Sequence, residues 1–199
     1  MKFTKVYLEK NNPEIFSEYI QSKPTNINND FLHSQFIDGL KNYGFHLIQT
    51  TGDGNCLFRS ISYQLNGTEQ EYSMIRKDLS DYLFANKNKY YLDFNVIDSN
   101  EELGNLSREE IIQLKGKQYD DYLEKMKRDK EYGDGLCLNA LSMMLHKNLN
   151  LILFEKNKFV TVKINENFDK NSNIYLFFHQ AHYSTLRKCH TSSIRITRI

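Results

Sequence analysis

Tryptophan is absent from this chain of 199 residues, and proline occurs only twice, as Pro13 and Pro24. Because both prolines lie near the start, the rest of the sequence lacks the residue that most strongly interrupts helices and central strands. No apolar run approaches the ~18 residues that a membrane-spanning helix requires, and no signal-peptide core follows Met1. We therefore expect no membrane span, and a protein that is cytoplasmic or is delivered into a host cytosol by a route that the sequence does not reveal.

Cysteine is scarce, and an excess of either charge is lacking. Three cysteines without close pairs argue against a disulfide framework and favour a reducing compartment. The 26 Lys and Arg residues against 25 Asp and Glu residues give a net charge of +1, which offers no electrostatic basis for binding nucleic acid. We expect a monomer that has no nucleic-acid partner.

Side chains that can bind a metal ion lie close together in two places, which raises the question of a metal site. His179 and His182 are three residues apart, and Cys189 adjoins His190. Neither spacing matches a recognised zinc pattern such as C-x-x-C or H-E-x-x-H. The sequence therefore predicts no metal and no other cofactor.

The length suits one domain and an extension. A domain of about 150 residues buries roughly 70% of its unfolded surface, which suffices for a hydrophobic core. We assign residues 1–29, which end in an asparagine-rich stretch, to an N-terminal extension and residues 30–199 to the domain.

Hydrophobic periodicity predicts that helices cluster early in the chain and strands late, rather than alternating. The predicted helices lie near 13–21, 31–42, 56–65, 71–85, 106–130 and 136–147, and the strands near 45–50, 150–155, 158–164, 174–178, 183–187 and 194–198. The strands on either side of Lys156-Asn157 are predicted to form a hairpin. This order indicates an α+β fold, with a mixed β-sheet flanked by helices.

The most informative segment is 53–60, with the sequence DGNCLFRS. It follows a β-prone run, and Gly52 and Gly54 favour a turn there. Apolar residues then recur at helical spacing, at Leu57, Phe58, Ile61 and Leu65. Cys56 is therefore predicted to begin a helix, whose positive end favours a thiolate and is expected to lower the pKa of Cys56. The backbone N–H groups of residues 53–56 are candidate donors to an oxyanion.

A nucleophilic cysteine needs an imidazole partner, which can come from far along the chain. His182 is the strongest candidate among the six histidines because it separates two strand patterns, 174–178 and 183–187. At the end of a strand, its side chain is held firmly and stays accessible.

The segment 53–59 and the later triplet His182-Tyr183-Ser184 resemble the two signature blocks of the OTU (ovarian tumour) domain cysteine proteases, most of which are deubiquitinases. The resemblance covers roughly residues 40–190 and implies a papain-like cysteine protease architecture of the OTU type. It implies that Cys56 is the nucleophile, that His182 is its general base, and that Asp53 belongs to the catalytic loop and shapes the oxyanion hole. It also implies ubiquitin or polyubiquitin chains as partners.

The chain departs from the family pattern at two places. Many members have Asn or Asp two residues after the histidine, where it orients the imidazole, and this chain has Ser184 there. A hydroxyl accepts a hydrogen bond but carries no charge, so it stabilises an imidazolium less than a carboxylate does. The other departure is Tyr132-Gly133, where the family commonly has Trp-Gly; tyrosine keeps an aromatic ring there.

A second cysteine has a similar setting, because Gly133-Asp134-Gly135 precedes Cys137 as Gly52-Asp53-Gly54 precedes Cys56. The helix that follows has a broad apolar surface, so we interpret Cys137 as a small core residue. Between the helices predicted at 71–85 and 136–147, the polar segment 95–131 has sparsely spaced apolar residues. It is predicted to form a projecting, solvated helical arm.

The sequence therefore predicts a thiol isopeptidase that removes ubiquitin, or a ubiquitin-like protein, from lysine side chains. Two alternatives remain open. One is a ubiquitin-binding pseudoprotease in which Ser184 fails to orient His182, and the other is a papain-like protease that acts on unrelated peptides.

Overall fold

The computed structural model describes residues 37–91, 106–155 and 158–189. Its strands are β1 (Phe45–Ile48), β2 (Asn148–Glu155), β3 (Lys158–Lys163), β4 (Asn173–His179) and β5 (His182–Lys188). Its helices are α1 (Cys56–Asn66), α2 (Tyr72–Ala85), α3 (Lys87–Tyr90), α4 (Arg108–Met126) and α5 (Gly135–Leu145), and residues 37–42 are also helical. Among these helices none is both long and apolar enough to cross a bilayer.

The strands form one mixed sheet in the order β1-β5-β4-β2-β3. β2 and β4 run parallel, and the other neighbouring pairs are antiparallel. The predicted hairpin is confirmed, since Glu155 at the end of β2 pairs with Lys158 at the start of β3. The α+β fold with a mixed sheet and flanking helices is therefore confirmed. The predicted extension 1–29, with its helix at 13–21, and the predicted strand at 194–198 lie outside the described residues.

Hydrophobic side chains fill both faces of the sheet, because the strands alternate their side chains between the two faces. The larger core lies between the sheet and helices α1, α2, α4 and α5, and includes Leu57, Phe58, Ile61, Leu79, Leu123, Leu138, Leu141, Leu151 and Tyr183. The smaller core covers the opposite face and contains Leu40, Ile152, Phe177 and Leu186. Helix α1 thus begins on the face of the sheet that carries the larger core.

Helix α4 shows where the interpretation of residues 95–131 as a projecting arm is wrong. Its C-terminal half packs into the larger core through Tyr119, Tyr122, Leu123 and Met126. These residues follow one another at spacings of three, one and three, so they form a narrow apolar stripe on one side of the helix. Two large tyrosine rings make such a stripe sufficient for burial. Residues 95–105 lie outside the described part of the chain.

Polar contacts fix the position of α1 against β5. The hydroxyl of Thr185 donates to the carbonyl oxygen of Ser60 at 3.0 Å, and the amide of Gln64 donates to the carbonyl oxygen of Leu186 at 2.6 Å. Residues one turn apart in α1 therefore contact neighbouring residues of β5 in the same direction. As a result, the first turn of α1 lies beside the first residues of β5.

Candidate active site

The nucleophile candidate begins its helix as the sequence predicts. Helix α1 starts at Cys56, and Asn55 is its N-cap residue, with φ −101° and ψ 8°. Asn55 makes no side-chain cap to the helix, so the N–H groups of the first turn keep the orphan character that favours negative charge. Cys56 itself is almost fully buried, with 3% of its surface exposed.

The surroundings of the sulfur contradict the expected pKa. Burial raises the pKa of the Cys56 thiol above its usual value, and the nearby carboxylate of Asp53 raises it further. The backbone N–H groups of Tyr183, Leu57 and Cys56 itself hydrogen-bond the sulfur and lower the pKa, but they do not offset the loss of hydration. The N–H groups at the helix start therefore stabilise the thiolate of Cys56, as predicted, but burial disfavours it more strongly. Burial therefore favours the thiol over the thiolate, so a reaction at this sulfur needs a base nearby.

The structure brings the base candidate to the same place. His182 is the first residue of β5 and is half-buried, and the next residue, Tyr183, supplies the backbone N–H that contacts the sulfur of Cys56. On the other side, a methyl group built on Gly52 would lie 3.6 to 3.7 Å from the imidazole of His182. The imidazole thus packs against the glycine turn that leads into the cysteine. The turn before Cys56 and the first residue of β5, which are far apart in the chain, therefore lie side by side.

Asp53 lies in this turn but does not face an open site. The guanidinium of Arg59 donates to both carboxylate oxygens, with 2.7 Å from Nη2 to Oδ2 and 3.2 Å from Nε to Oδ1. The backbone N–H of Asn55 donates to Oδ1 at 3.0 Å. The hydrogen bond from Arg59 is the largest influence on the pKa of Asp53 and, together with the hydrogen bonds from Asn55, holds that pKa well below its usual range despite partial burial. Asp53 is therefore a permanent anion that shapes the turn before Cys56.

Asn55 is the residue that the sequence interpretation missed. Its side chain is fully buried and uses both ends of its amide. The Nδ2 group donates to Asp53 Oδ2 at 3.2 Å and to Asp129 Oδ1 at 3.1 Å, while Oδ1 accepts from Arg76 Nη2 at 2.6 Å and from the backbone N–H of Lys130 at 3.0 Å. An amide with two donors and two acceptor positions is thus fully satisfied. Its position directly before the cysteine was the only sequence signal.

Comparison with known proteins identifies the family to which a chain with these features belongs. The model of the OTU-like cysteine protease family matches residues 51–187. The chain belongs to this family. The match includes both Cys56 and His182.

Similar proteins agree with this assignment. A deubiquitinating enzyme of Arabidopsis thaliana, "OVARIAN TUMOR DOMAIN-containing deubiquitinating enzyme 9", is 26% identical over 156 residues, which are 77% of this chain and 39% of that protein. The chain therefore spans well under half the length of this relative. The OTU domain of OTUD1 has the same fold, with a TM-score of 0.60 and 16% identity over 78% of this chain and 94% of that domain. The Hazara virus OTU in complex with ubiquitin gives a TM-score of 0.51 and 20% identity over 74% of this chain and 83% of that chain.

The first departure from the OTU pattern, Ser184, has a clear setting. Ser184 is 4% exposed and lies on the same face of β5 as His182, because the two residues are two positions apart in a strand. It lies opposite Phe177 of β4. In the described part of the chain, no hydrogen bond joins its hydroxyl to the imidazole of His182. The hydroxyl of Ser184 therefore does not orient the imidazole through a hydrogen bond in the structure described here.

The second departure, Tyr132 in place of tryptophan, keeps an aromatic contact at the site. The ring of Tyr132 stacks on that of Tyr183, with 5.9 Å between centroids and 30° between planes. Tyr183 is also the residue whose N–H contacts the sulfur of Cys56. The following residue, Gly133, allows Leu57 to approach closely, since a methyl group there would lie 2.5 Å from Leu57 Cδ2. The Tyr-Gly pair thus supports both strand β5 and helix α1 at the site.

Cys137 has a different environment, and its interpretation as a core residue is confirmed. It is fully buried in the larger core, and its sulfur lies 3.2 Å from the hydroxyl of Tyr122 and 3.5 Å from the sulfur of Met126. Burial, followed by the charge of Asp134, raises the pKa of Cys137 far above its usual value. The carboxylate of Asp134 instead caps α5 by accepting from the N–H of Cys137 at 3.0 Å.

Gly54 is required by two features at once, which gives a testable expectation. Its φ is +88°, and a methyl group there would lie 2.2 Å from the carbonyl oxygen of Lys130. Gly67 has a similar φ of +73° but no atom within 4 Å of such a methyl group. We expect Gly67→Ala to cost about 1 kcal/mol, the left-handed backbone penalty, and Gly54→Ala to cost at least about 2 kcal/mol because the 127–131 connection must also move. Urea unfolding measures both, and equal losses would show that the contact with Lys130 has no energetic weight.

Proposed function

We propose that this protein is a deubiquitinase, which hydrolyses the isopeptide bond between the C-terminus of ubiquitin, or of a ubiquitin-like protein, and a lysine side chain. The observation that carries the proposal is the junction of α1 and β5, where Cys56 begins α1, His182 begins β5, and the imidazole of His182 packs against Gly52 in the turn before the cysteine. The family assignment supports a thiol hydrolase. The name of the Arabidopsis relative supports ubiquitin as the modifier that is removed.

In the proposed reaction, His182 accepts the proton of the Cys56 thiol, and the sulfur attacks the isopeptide carbonyl carbon. The tetrahedral intermediate collapses as the carbon–nitrogen bond breaks, and the imidazolium gives its proton to the departing lysine amine. A thioester between Cys56 and the ubiquitin C-terminus remains. Water then attacks this thioester, His182 accepts the proton of that water, and the thiol forms again with release of ubiquitin.

One backbone contact reduces the number of N–H groups that could donate to the oxyanion in this proposal. The N–H of Asn55 already donates to the carboxylate of Asp53, so it is not available to a substrate. The proposal therefore assigns the oxyanion to other N–H groups of the 53–56 turn. In this scheme Asp53 acts indirectly, because its pairing with Arg59 and Asn55 sets the direction of those groups.

One observation favours a second candidate function, a ubiquitin-binding pseudoprotease. Ser184 makes no hydrogen bond to the imidazole of His182 in the described residues, so nothing at that position holds the base in its reactive orientation. Because burial raises the pKa of Cys56, the chain depends on this base for the first proton transfer. A poorly held imidazole would leave the ubiquitin site intact and the chemistry slow.

Substitutions at Ser184 distinguish the two functions. We expect wild-type protein to cleave ubiquitin chains, and Ser184→Asn to preserve or raise the rate because its longer side chain brings an acceptor towards the imidazole. Ser184→Ala should lower the rate by no more than about tenfold, the ~1.4 kcal/mol that a hydrogen bond formed only during the reaction would contribute. Initial rates with a panel of linkage-defined chains measure this. Melting temperatures serve as the control, since an added amide at a buried site costs packing energy.

The outcomes for Ser184 separate cleanly. A loss above about a hundredfold in Ser184→Ala would make the hydroxyl an essential member of the site. Wild-type protein that binds ubiquitin but cleaves no chain, together with cleavage gained in Ser184→Asn, would establish the pseudoprotease. Absence of both ubiquitin binding and cleavage would reject the proposed modifier and favour a protease of unrelated peptides.

A further inference from the structure

Arg76 is a buried arginine next to the candidate active site. It lies in helix α2 and is 3% exposed. Within the described ranges, no carboxylate lies at salt-bridge distance from its guanidinium. Arginine is almost never fully buried unless its charge and donors are matched, so the position has a specific structural demand.

The hydrogen bonds of Arg76 come from Nη1 and Nη2 and lead to two segments, whereas its buried Nε donates to no group in the described residues. One Nη2 group donates to Asn55 Oδ1 and to the carbonyl oxygen of Glu131, both at 2.6 Å. The Nη1 group donates to the carbonyl oxygen of Met126 at 3.2 Å. The flat face of the guanidinium lies 3.9 Å from the ring centroid of Phe58. The first segment is thus the nucleophile turn, and the second is the connection that follows α4.

The contacts to the nucleophile turn lie on both sides of Cys56. Asn55 directly precedes the cysteine, and Phe58 follows it by two residues in the first turn of α1. The contacts to the connection satisfy a carbonyl group at the C-terminal end of α4, where orphan acceptors and the helix dipole both favour a cation. Arg76 therefore joins the end of α4 to the start of α1 through hydrogen bonds at each end.

We propose that Arg76 is a positioning residue for the reaction: it fixes Asn55, and through it the N–H groups and the sulfur at the start of α1, relative to the 127–131 connection. The proposal rests on the proposed function of Cys56. A planar guanidinium with five donors and an aromatic-stacking face can make all four contacts together, whereas an ammonium on a flexible chain cannot. Arg76 touches neither substrate nor sulfur and acts only through these neighbours.

The expected result is a loss in turnover that exceeds the loss in binding. We expect Arg76→Lys to lower kcat for a ubiquitin-based substrate by about 10- to 100-fold with KM changed less than about threefold, because a displacement near 1 Å at the reacting atoms has an effect of this size. The kcat of Arg76→Met should be lower than that of Arg76→Lys. The matched control is Lys77→Gln, which removes a cation from the next position of α2, where the side chain is exposed and paired with Asp81. It should keep the wild-type kcat.

Titration of active sites separates positioning from a general effect on folding. The fraction of molecules that a ubiquitin probe captures at completion gives the number of competent sites, and kcat is divided by that number. A positioning role predicts that kcat per titrated site falls in Arg76→Lys. If the melting temperature falls but kcat per titrated site stays at the wild-type value, Arg76 is only structural and the proposal is overturned.

Two further measurements keep the proposal distinct from the proposed function. Combined with Asn55→Ala, Arg76→Met should add less than about threefold to the loss of kcat, because both substitutions break the same contact. Multiplicative losses of kcat would contradict the linkage.

The rate of alkylation of Cys56 by iodoacetamide requires no ubiquitin, and we expect this rate to differ from wild type in Arg76→Lys and not in Lys77→Gln. If wild-type protein proves inactive on ubiquitin, this rate still decides the role of Arg76, and an unchanged rate rejects it.

Discussion

In Cys56→Ala protein we expect no covalent adduct with a ubiquitin probe that carries a C-terminal electrophile, and hydrolysis of ubiquitin chains lower by at least about 10⁴-fold. Cys137→Ala protein should form the adduct at close to the wild-type rate. The two cysteines follow similar Gly-Asp-Gly segments and both lie in the first turn of a helix, at Cys56 of α1 and Cys137 of α5. The surroundings of the two cysteines, rather than their local sequences, are expected to decide which one reacts with the probe.

The expectation rests on what each sulfur contacts. The sulfur of Cys56 meets backbone N–H groups at the junction with β5, next to His182. The sulfur of Cys137 contacts Tyr122 and Met126 inside the larger core, where burial raises its pKa far above the usual value. We therefore expect the carbonyl group of a substrate to reach Cys56, beside the start of β5, and not Cys137, whose sulfur contacts only side chains of the core.

The controls for this experiment address stability and the third thiol. Cys137→Ala removes a buried side chain and its contact with Tyr122, so we expect a loss of about 1 to 2 kcal/mol in urea unfolding without loss of the adduct. Cys189 is half-buried and free, and Cys189→Ser should leave the adduct unchanged. A probe adduct that persists in Cys56→Ala, located by mass spectrometry on another cysteine, would contradict the assignment.

Local features of the site could be predicted from the sequence because they depend on neighbouring residues. Helix α1 begins at Cys56, where glycines give way to apolar residues at helical spacing. The β2–β3 hairpin follows from two strand patterns around a two-residue connection. In both cases residues within about ten positions set the backbone, so their pattern carries the information.

The features that the sequence did not reveal depend on residues far apart in the chain. Asn55 meets Asp129 and Arg76, which lie 74 and 21 positions away. No local pattern distinguishes Arg76 from an exposed helical arginine, since Lys77 follows it directly and is exposed. The burial of the second half of α4 has the same origin, because the surface that covers its apolar stripe comes from other helices.

The pKa of Cys56 illustrates a conflict between two physical effects. The helix start and the N–H groups favour the thiolate, as the sequence predicts, but burial of the sulfur disfavours charge more strongly. Burial is a property of the packed structure and is not visible in the motif. The consequence is chemical: the proton of the thiol must move to a base at the start of the reaction, which increases the demand on the histidine.

We therefore expect His182→Ala to lower chain hydrolysis by about 10³-fold, within the usual range for loss of a general base, while His179→Ala retains activity within about fivefold of wild type. The two residues are directly opposite each other across the β4–β5 turn. Only His182 adjoins the N–H that contacts Cys56. The ring of His179 is stacked on Phe177, with 6.2 Å between centroids and 15° between planes, and burial lowers its pKa.

Chemical rescue makes this comparison decisive. Removal of the His182 side chain at the end of β5 leaves space beside Gly52, and added imidazole should enter that space, accept the thiol proton and restore part of the hydrolysis in His182→Ala. Imidazole should not stimulate His179→Ala, which still has the proposed base, or the double variant Cys56→Ala/His182→Ala, which also lacks the nucleophile. Circular dichroism should show the same fold in all variants, since His182 lies at a strand end outside both hydrophobic cores. Loss of activity in His179→Ala with retention in His182→Ala would place the base on β4 instead, and the proton path from Cys56 would then have to cross the turn between the two strands.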